Sequence, residues 1–254
     1  MTSNTASVPS RRERMRAETM TEIKASARGQ LLEHGPSGIS LRAVARDVGV
    51  SPAALYRYFD NLDALLTDLC CDFYDELVDA SRAAMEVHPA EAHPERMKAW
   101  VWTFRSWVVS HRREFELMLN VPESESALTP CVNIADVPFD DLPAVTRKSM
   151  EHARLCGREL AAYYRHTEGQ GFDFSAIDIP EISKGLSDEL LDQCADMVIG
   201  ERLPLPWIYA FASAWVRVFG LVTMEAFGSL PVRDNIEEFY KVQLMSMMRD
   251  FGIA

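Results

Sequence analysis

The sequence predicts an all-α protein: an N-terminal three-helix head containing a helix-turn-helix, followed by a larger helical body. Three observations predict it. Apolar residues past position 62 recur at helical spacing, with few runs that alternate as strands do. Residues 40–59, SLRAVARDVGVSPAALYRYF, hold two short helical patterns joined by a glycine turn. Charge also divides along the chain: residues 1–62 carry nine Lys and Arg against six Asp and Glu, a net +3, and the remainder carries −15. A basic head on an acidic body meets a polyanion only through the head. With 254 residues, 48% of them hydrophobic, the chain has material for one large core or two modest ones.

The first ten residues, MTSNTASVPS, are polar and lack the apolar run of a secretory signal, so residues 1–13 are expected to be a disordered basic arm and the protein to be cytoplasmic. Residues 14–62 form the expected DNA-binding domain, and residues 63–254 the body. Within the head, Leu41, Val44, Ala45 and Val48 share one helical face, with Ser40 placed as cap and Arg42 and Arg46 outside. Gly49 interrupts the pattern, Val50 points inward, and Ser51 with Pro52 opens a second helix that runs to about Phe59 and shows Tyr56, Arg57 and Tyr58. Ala53 and Ala54 are small enough to let that helix approach base edges, and Ser51 with the helix N-terminus suits a phosphate oxygen. Two helices and a glycine turn also serve as plain scaffold in many folds.

The stretch ISLRAVARDVGVSPAALYRYFDNLDALL resembles the DNA-binding domain of TetR-family transcriptional regulators, over about residues 14–75. A helix ending in LLEHGPSG, the helix-turn-helix, the aromatic run LYRYF and a fourth helix from Leu62 occur in the family's order. The resemblance implies that Arg42, Ala53 and Ala54 read bases, and that Ser40, Ser51, Tyr56 and Tyr58 hold phosphates, with Pro52 opening the reading helix. Leu62 stands where the family usually has a lysine, which shifts that phosphate contact to Arg57 or the arm.

In the body, a helix from Leu62 to Val87 ends at the loop HPAEAHPE. Residues 95–111 follow as a helix apolar almost all round and therefore buried, since Trp100, Trp102, Phe104 and Trp107 keep to no single stripe. A short helix at 112–120 precedes a proline- and acid-rich loop at 121–143, and another helix spans Pro143 to His166. Residues 169–204 read as loop with a short helix from Ser187. Residues 205–230 have the length of a membrane span, but Arg217 at their centre and the lack of basic flanks favour a fully buried helix and no membrane partner. The run from Trp215 to Gly220 is similar to the Trp-x-x-x-His-Gly signature of one TetR-family C-terminal domain, with Phe219 in place of the histidine.

That second resemblance implies a four-helix contact between two copies. Ala212, Val216, Phe219, Gly220, Thr223 and Phe227 would supply one stripe; Ile236, Phe239, Tyr240, Leu244 and Met247 of a last helix at 235–250 would supply the other. The aromatic set Trp100, Phe104, Trp107, Tyr163, Tyr164, Trp207, Phe211 and Trp215 is either ordinary core or, as the resemblance implies, the enclosure of a small lipophilic effector.

Catalytic motifs are missing: the sequence has no GxSxG, GxGxxG, P-loop or HExxH, and no cofactor is expected. Five cysteines, Cys70, Cys71, Cys131, Cys156 and Cys194, form no CxxC pair, against a disulfide framework or zinc site. His88, Glu91, His93 and Glu95 are expected as exposed loop residues rather than metal ligands, because Pro89 and Pro94 break any common face. Two functions remain open on these residues. One is a dimeric regulator, a repressor by family habit, released from a palindromic DNA operator by a lipophilic effector. The other is a helical enzyme or ligand-binding module whose head is scaffold.

Overall fold

The computed structural model describes residues 10–121, 139–170 and 198–253, and among them every regular element is helical. Helix α1 (Arg11–His34) begins at a reciprocal cap: the Glu13 amide donates to Ser10 Oγ at 3.2 Å, and the Ser10 amide donates to the Glu13 carboxylate at 2.6 Å. Residues 11–13, assigned from the sequence to a disordered arm, are therefore its first turn; residues 1–9 lie outside the described residues. The helix stops at Gly35, whose φ of 75° is costly for any side chain.

A 3₁₀ turn (Pro36–Gly38) leads to α2 (Leu41–Val48), which buries Val44 and Ala45 and ends at Gly49 in the left-handed conformation. Ser40 does not cap α2 with its side chain, contrary to expectation. Its amide instead donates to Gln30 Oε1 at 3.1 Å, and its carbonyl closes the first turn by accepting from the Val44 amide. Helix α3 (Pro52–Leu55) starts where Ser51 Oγ accepts from the Ala54 amide at 3.1 Å. It is regular only to Leu55. Beyond that the chain tightens, with the Arg57 and Tyr58 amides donating three residues back, so the helix predicted to reach Phe59 finishes as 3₁₀-like turns.

Asn61 Oδ1 accepts from the Ala64 amide and starts α4 (Leu62–Glu86). Leu65, Leu69, Phe73 and Leu77, four apart, give α4 a continuous buried stripe. Helix α5 (His93–Ser110) begins two residues before the predicted start, with Pro94 in its first turn. Then follow α6 (Arg112–Leu119), a 3₁₀ turn (Phe139–Asp141), α7 (Ala144–Thr167), α8 (Leu205–Ala226) and α9 (Ile236–Asp250). Helices α4, α5 and α7 pack against one another, and α8 lies against α5. One cluster of buried apolar side chains runs from Ile23 and Leu31 in the head through the α4 stripe to Trp100, Val222 and Ile253. Head and body share a core, and α4 is the element that joins them.

Two sequence expectations about burial are corrected. Helix α5 is not buried all round: Met97, Trp100, Val101, Phe104, Trp107 and Val108 form one inward stripe, while Trp102 is half-buried beside Arg105. Helix α8 is long and apolar enough to cross a membrane, yet within this chain it buries only one side, at Trp207, Ile208, Ala210, Val218, Val222 and Ala226. Val216 remains 68% exposed. Composition reports that a helix is apolar, but which side meets its own chain depends on where the other helices lie. The loop predicted at 121–143, the loop at 169–204 with its short helix from Ser187, and Cys131 and Cys194 fall mostly or wholly outside the described residues.

Candidate functional site

The head presents a compact polar surface built on caps. Ser40, Arg42, Ser51, Pro52 and Ala53 are exposed, Ala54 is half-buried against the turn, and Tyr56 is 53% exposed with Arg57 beside it. Tyr58 is half-buried, with the Arg16 guanidinium 5.1 Å above its ring, and Arg16 Nη2 also reaches the Arg57 carbonyl. These contacts fix the aromatic run against the N-terminal helix. Leu62 is half-buried against the core rather than offered to a ligand.

A buried amide with no local mark in the sequence sets the position of α2. Gln30, on α1, accepts from the Ser40 amide through Oε1 and donates through Nε2 to Asp47 at 3.0 Å, touching both ends of α2. The same hydrogen bond, with one from Ser26, holds the Asp47 carboxyl below its ordinary range. Two basic residues of α1 face inward. Lys24 pairs with Asp68 and Asp72 of α4, and Arg28 spans Glu76 of α4 and the buried Glu114 of α6. Arg42, Arg46 and Arg57 stay on the exposed surface.

An apolar cavity of about 40 Å³ lies among the described helices of the body. Met97, Trp100 and Val101 of α5 line it with Cys156 and Leu160 of α7, Phe211, Ala214, Trp215 and Val218 of α8, and Leu244, Met247, Met248 and Phe251 from α9 and the turn after it. No charged side chain is among them. Burial pushes the Cys156 thiol up to about 12, so it is neutral. Of the eight aromatics expected to enclose an effector, Trp100, Phe211 and Trp215 line this space.

The other five do not. Phe104 packs on His152 and Phe219, and Trp107 stacks on His111 at 4.6 Å. Tyr163 and Tyr164 meet Trp207 beyond the cavity's end. An aromatic side chain in a helix reaches only what its own face confronts, and composition does not report that. The α9 contribution had a readable signal: Leu244, Met247, Met248 and Phe251 follow an i, i+3, i+4, i+7 spacing.

Two polar clusters flank the cavity. His152 is 2% exposed, stacks on Trp100 at 4.6 Å and contacts Ser81 Oγ at 3.2 Å, and burial lowers its pKa to about 3. His93, expected to be an exposed loop residue, is instead buried in the first turn of α5, with Nδ1 2.5 Å from Glu159, whose other oxygen accepts from Arg96 at 2.9 Å. Among the described residues no group of acidic, histidine and cysteine side chains is arranged to hold a metal.

The residues expected between two copies divide. Ala212, Val216 and Phe227 are exposed on α8, and Gly220 has open space beside it. Thr223 and Phe239 are half-buried, and Phe219 packs inward on Phe104 and Phe115. Tyr240, Leu244 and Met247 are each buried within the single chain, Tyr240 over the Arg105 guanidinium and the other two at the cavity. The outward side of α9 carries Val242, 62% exposed, and Met245, 56% exposed, and α8 leaves Met224 exposed, with Phe227 exposed just past its end.

Residues 23–69 match the family described as bacterial regulatory proteins, tetR family, and residues 97–247 match the Tetracyclin repressor-like, C-terminal domain. Over 107 residues, 42% of the chain, the sequence is 35% identical to the HTH-type transcriptional regulator Rv1816 of Mycobacterium tuberculosis (strain ATCC 25618 / H37Rv) and to Mb1846 of Mycobacterium bovis. The matched stretch is 46% of each relative, so the chain spans about half the length of the curated relatives it matches. Among solved structures, the regulatory protein SCO4313 superposes with a TM-score of 0.64 at 24% identity, covering 95% of this chain and 100% of that one. A protein from Rhodococcus sp. RHA1 gives 0.60 at 19% identity, covering 97% and 98%. Both likenesses are of fold.

Proposed function

The chain belongs to the TetR family of bacterial regulatory proteins, and from that premise we propose that it binds a palindromic DNA operator as a homodimer and represses until an uncharged lipophilic molecule releases it. The alternative of an enzyme falls away, because the matched family and relatives are regulators. The observation that carries the reading is the pairing of two features in one chain. An exposed helix-turn-helix offers Arg42, Ser51, Ala53 and Tyr56, and an apolar cavity free of charged side chains sits in the body that shares its core.

In this reading Arg42, Ala53 and Ala54 meet base edges in the major groove. Ser40, Ser51, Tyr56, Arg57 and Tyr58 hold phosphates and set register. The Ser40 hydroxyl suits that role because it is not engaged as a cap. Two heads need two chains, and the exposed apolar side chains of α8 and α9 give a second copy its footing. An anionic effector fits poorly, since Arg105 is engaged with Glu225 and Arg217 with Asp250.

Selection of bound duplexes with purified protein, followed by salt titration, tests the DNA reading. Binding to a palindrome should weaken steeply with salt, as phosphate contacts require. A library of neutral lipophiles and of small charged metabolites then tests release. If only charged metabolites free the operator, the cavity is not the effector site.

A further inference from the structure

We propose that the effector cavity and the surface through which two copies pair share one moving wall, helix α9, so that effector binding opposes dimerisation. The inference rests on the reading above, that the chain is an effector-responsive dimer.

The cavity is too small as it stands. About 40 Å³ admits roughly one water, whereas pockets for small organic ligands measure about 300–1,000 Å³. A wall must move, and the walls differ in how firmly they are held. The backbones of α4, α5 and α7 pack closely together, and α8 packs on α5, while α9 is less closely packed at the backbone and meets the rest through the buried side chains of Tyr240, Leu244, Met247 and Met248. Its ties to Arg217 of α8, from Asp250 at 2.9 Å and Gln243 at 3.5 Å, lie near the surface, and Tyr240 at its N-terminal end anchors it over the Arg105 guanidinium. Its cavity-facing side chains, Leu244, Met247 and Met248, include two thioethers that repack without a fixed shape.

The outward side of the same turns carries Val242 and Met245, in register with Leu244 and Met247 on the inside. Displacing α9 therefore shifts Val242 and Met245 relative to the exposed Val216 and Met224 of α8. An apolar face composed of two helices loses its complementarity when one of them shifts, because packed surfaces accommodate discrete arrangements rather than continuous deformation. The effector stabilises the open wall and the dimer the closed one. The coupling is reciprocal, so dimerisation weakens effector binding by the same factor.

Sedimentation of the full chain over a concentration series, with and without the neutral fluorophore N-phenyl-1-naphthylamine, tests this, the dye's emission reporting occupancy. Saturating dye should raise the dimer dissociation constant about tenfold or more, and dye affinity should fall as protein concentration rises. Ala214→Phe, or the milder Cys156→Met, fills the cavity without any ligand and should raise the same constant while helical content is unchanged. If dye is bound, or the cavity filled, and the constant stays within about twofold, the linkage is wrong. If dye does not bind, the two filled variants decide alone. A chain monomeric at every concentration overturns the dimer reading itself. A dimer that releases its operator on dye binding with an unchanged dissociation constant leaves the regulator reading intact and overturns only this linkage.

Discussion

Arg42 on α2 and Tyr56 just past α3 are both exposed on the head, and their chemistry predicts different losses. Arg42→Ala should cost about 1–3 kcal/mol and relax preference at one base pair per half-site, while Tyr56→Phe should weaken all duplexes alike. Binding of the two variants to operators substituted one position at a time checks this; an Arg42→Ala protein with unchanged affinity and preference would remove Arg42 from the base-reading set. His152 predicts an acid response. Its folded pKa, about 3, lies below its unfolded value near 6.5, so the unfolded chain binds the extra proton between them. The stabilisation is complete above about pH 6.5 and declines as pH falls toward 3. Between pH 7 and pH 5 this one residue should account for about 2 kcal/mol of lost stability. Denaturant melts of His152→Gln should show a correspondingly shallower pH dependence, and an identical dependence would rule out His152 as the cause. Both residues were visible in the sequence, but only Arg42 was legible as functional, since its position in the helix-turn-helix is local whereas the burial of His152 depends on α4 and α5.

At the scale of elements, α1, α4 and α6 meet at Arg28, which binds Glu76 and the buried Glu114 and lies over Phe73. Arg28→Ala strands the Glu114 carboxylate and should destabilise by about 3–5 kcal/mol, whereas adding Glu114→Leu should recover most of that loss. Chemical denaturation of the single and double variants decides it; a double variant no better than the single would mean that the stranded charge is not the cause. Helix α7 is approached closely at Gly157, where an added Cβ would lie 2.6 Å from the Val198 carbonyl oxygen. Gly157→Ala should therefore destabilise by about 1–3 kcal/mol despite the better helix propensity of alanine. A stabilised Gly157→Ala in the same melts would show that the 198–199 backbone yields freely. Helix positions were well read from periodicity and caps, but the pairing of elements was not: nothing in the spacing of residues 28 and 114 announces that they touch.

For the whole molecule, the proposed dimer turns on which surface a second copy would cover. Val216→Glu and Val242→Glu place a charge on side chains already 68% and 62% exposed in the single chain, so each should leave the fold intact. Both should split the dimer and weaken operator binding, because a charge buried at a contact without a partner is costly. Sedimentation beside circular dichroism checks this, and a variant still dimeric at the wild-type concentration range would move the contact elsewhere on the body. The sequence had marked Tyr240, Leu244 and Met247 for this role. They are apolar at helical spacing, as interface residues are, but so are residues that face inward, and the stripe of α9 turned toward the cavity is the more apolar of the two.

What the sequence determined by itself is the chain's local grammar. Ser51 with Pro52 and Gly49 at positive φ fix the helix-turn-helix through interactions spanning a few residues, so they were legible without neighbours. What only the tertiary structure decided is which side of each apolar helix is inside. The cavity joins Met97, Cys156, Trp215 and Met248 from four separate helices, and α8 and α9 keep one apolar side uncovered. Burial is a property of distant surfaces brought together. A helix apolar on two sides carries no local mark of which side its own chain will cover.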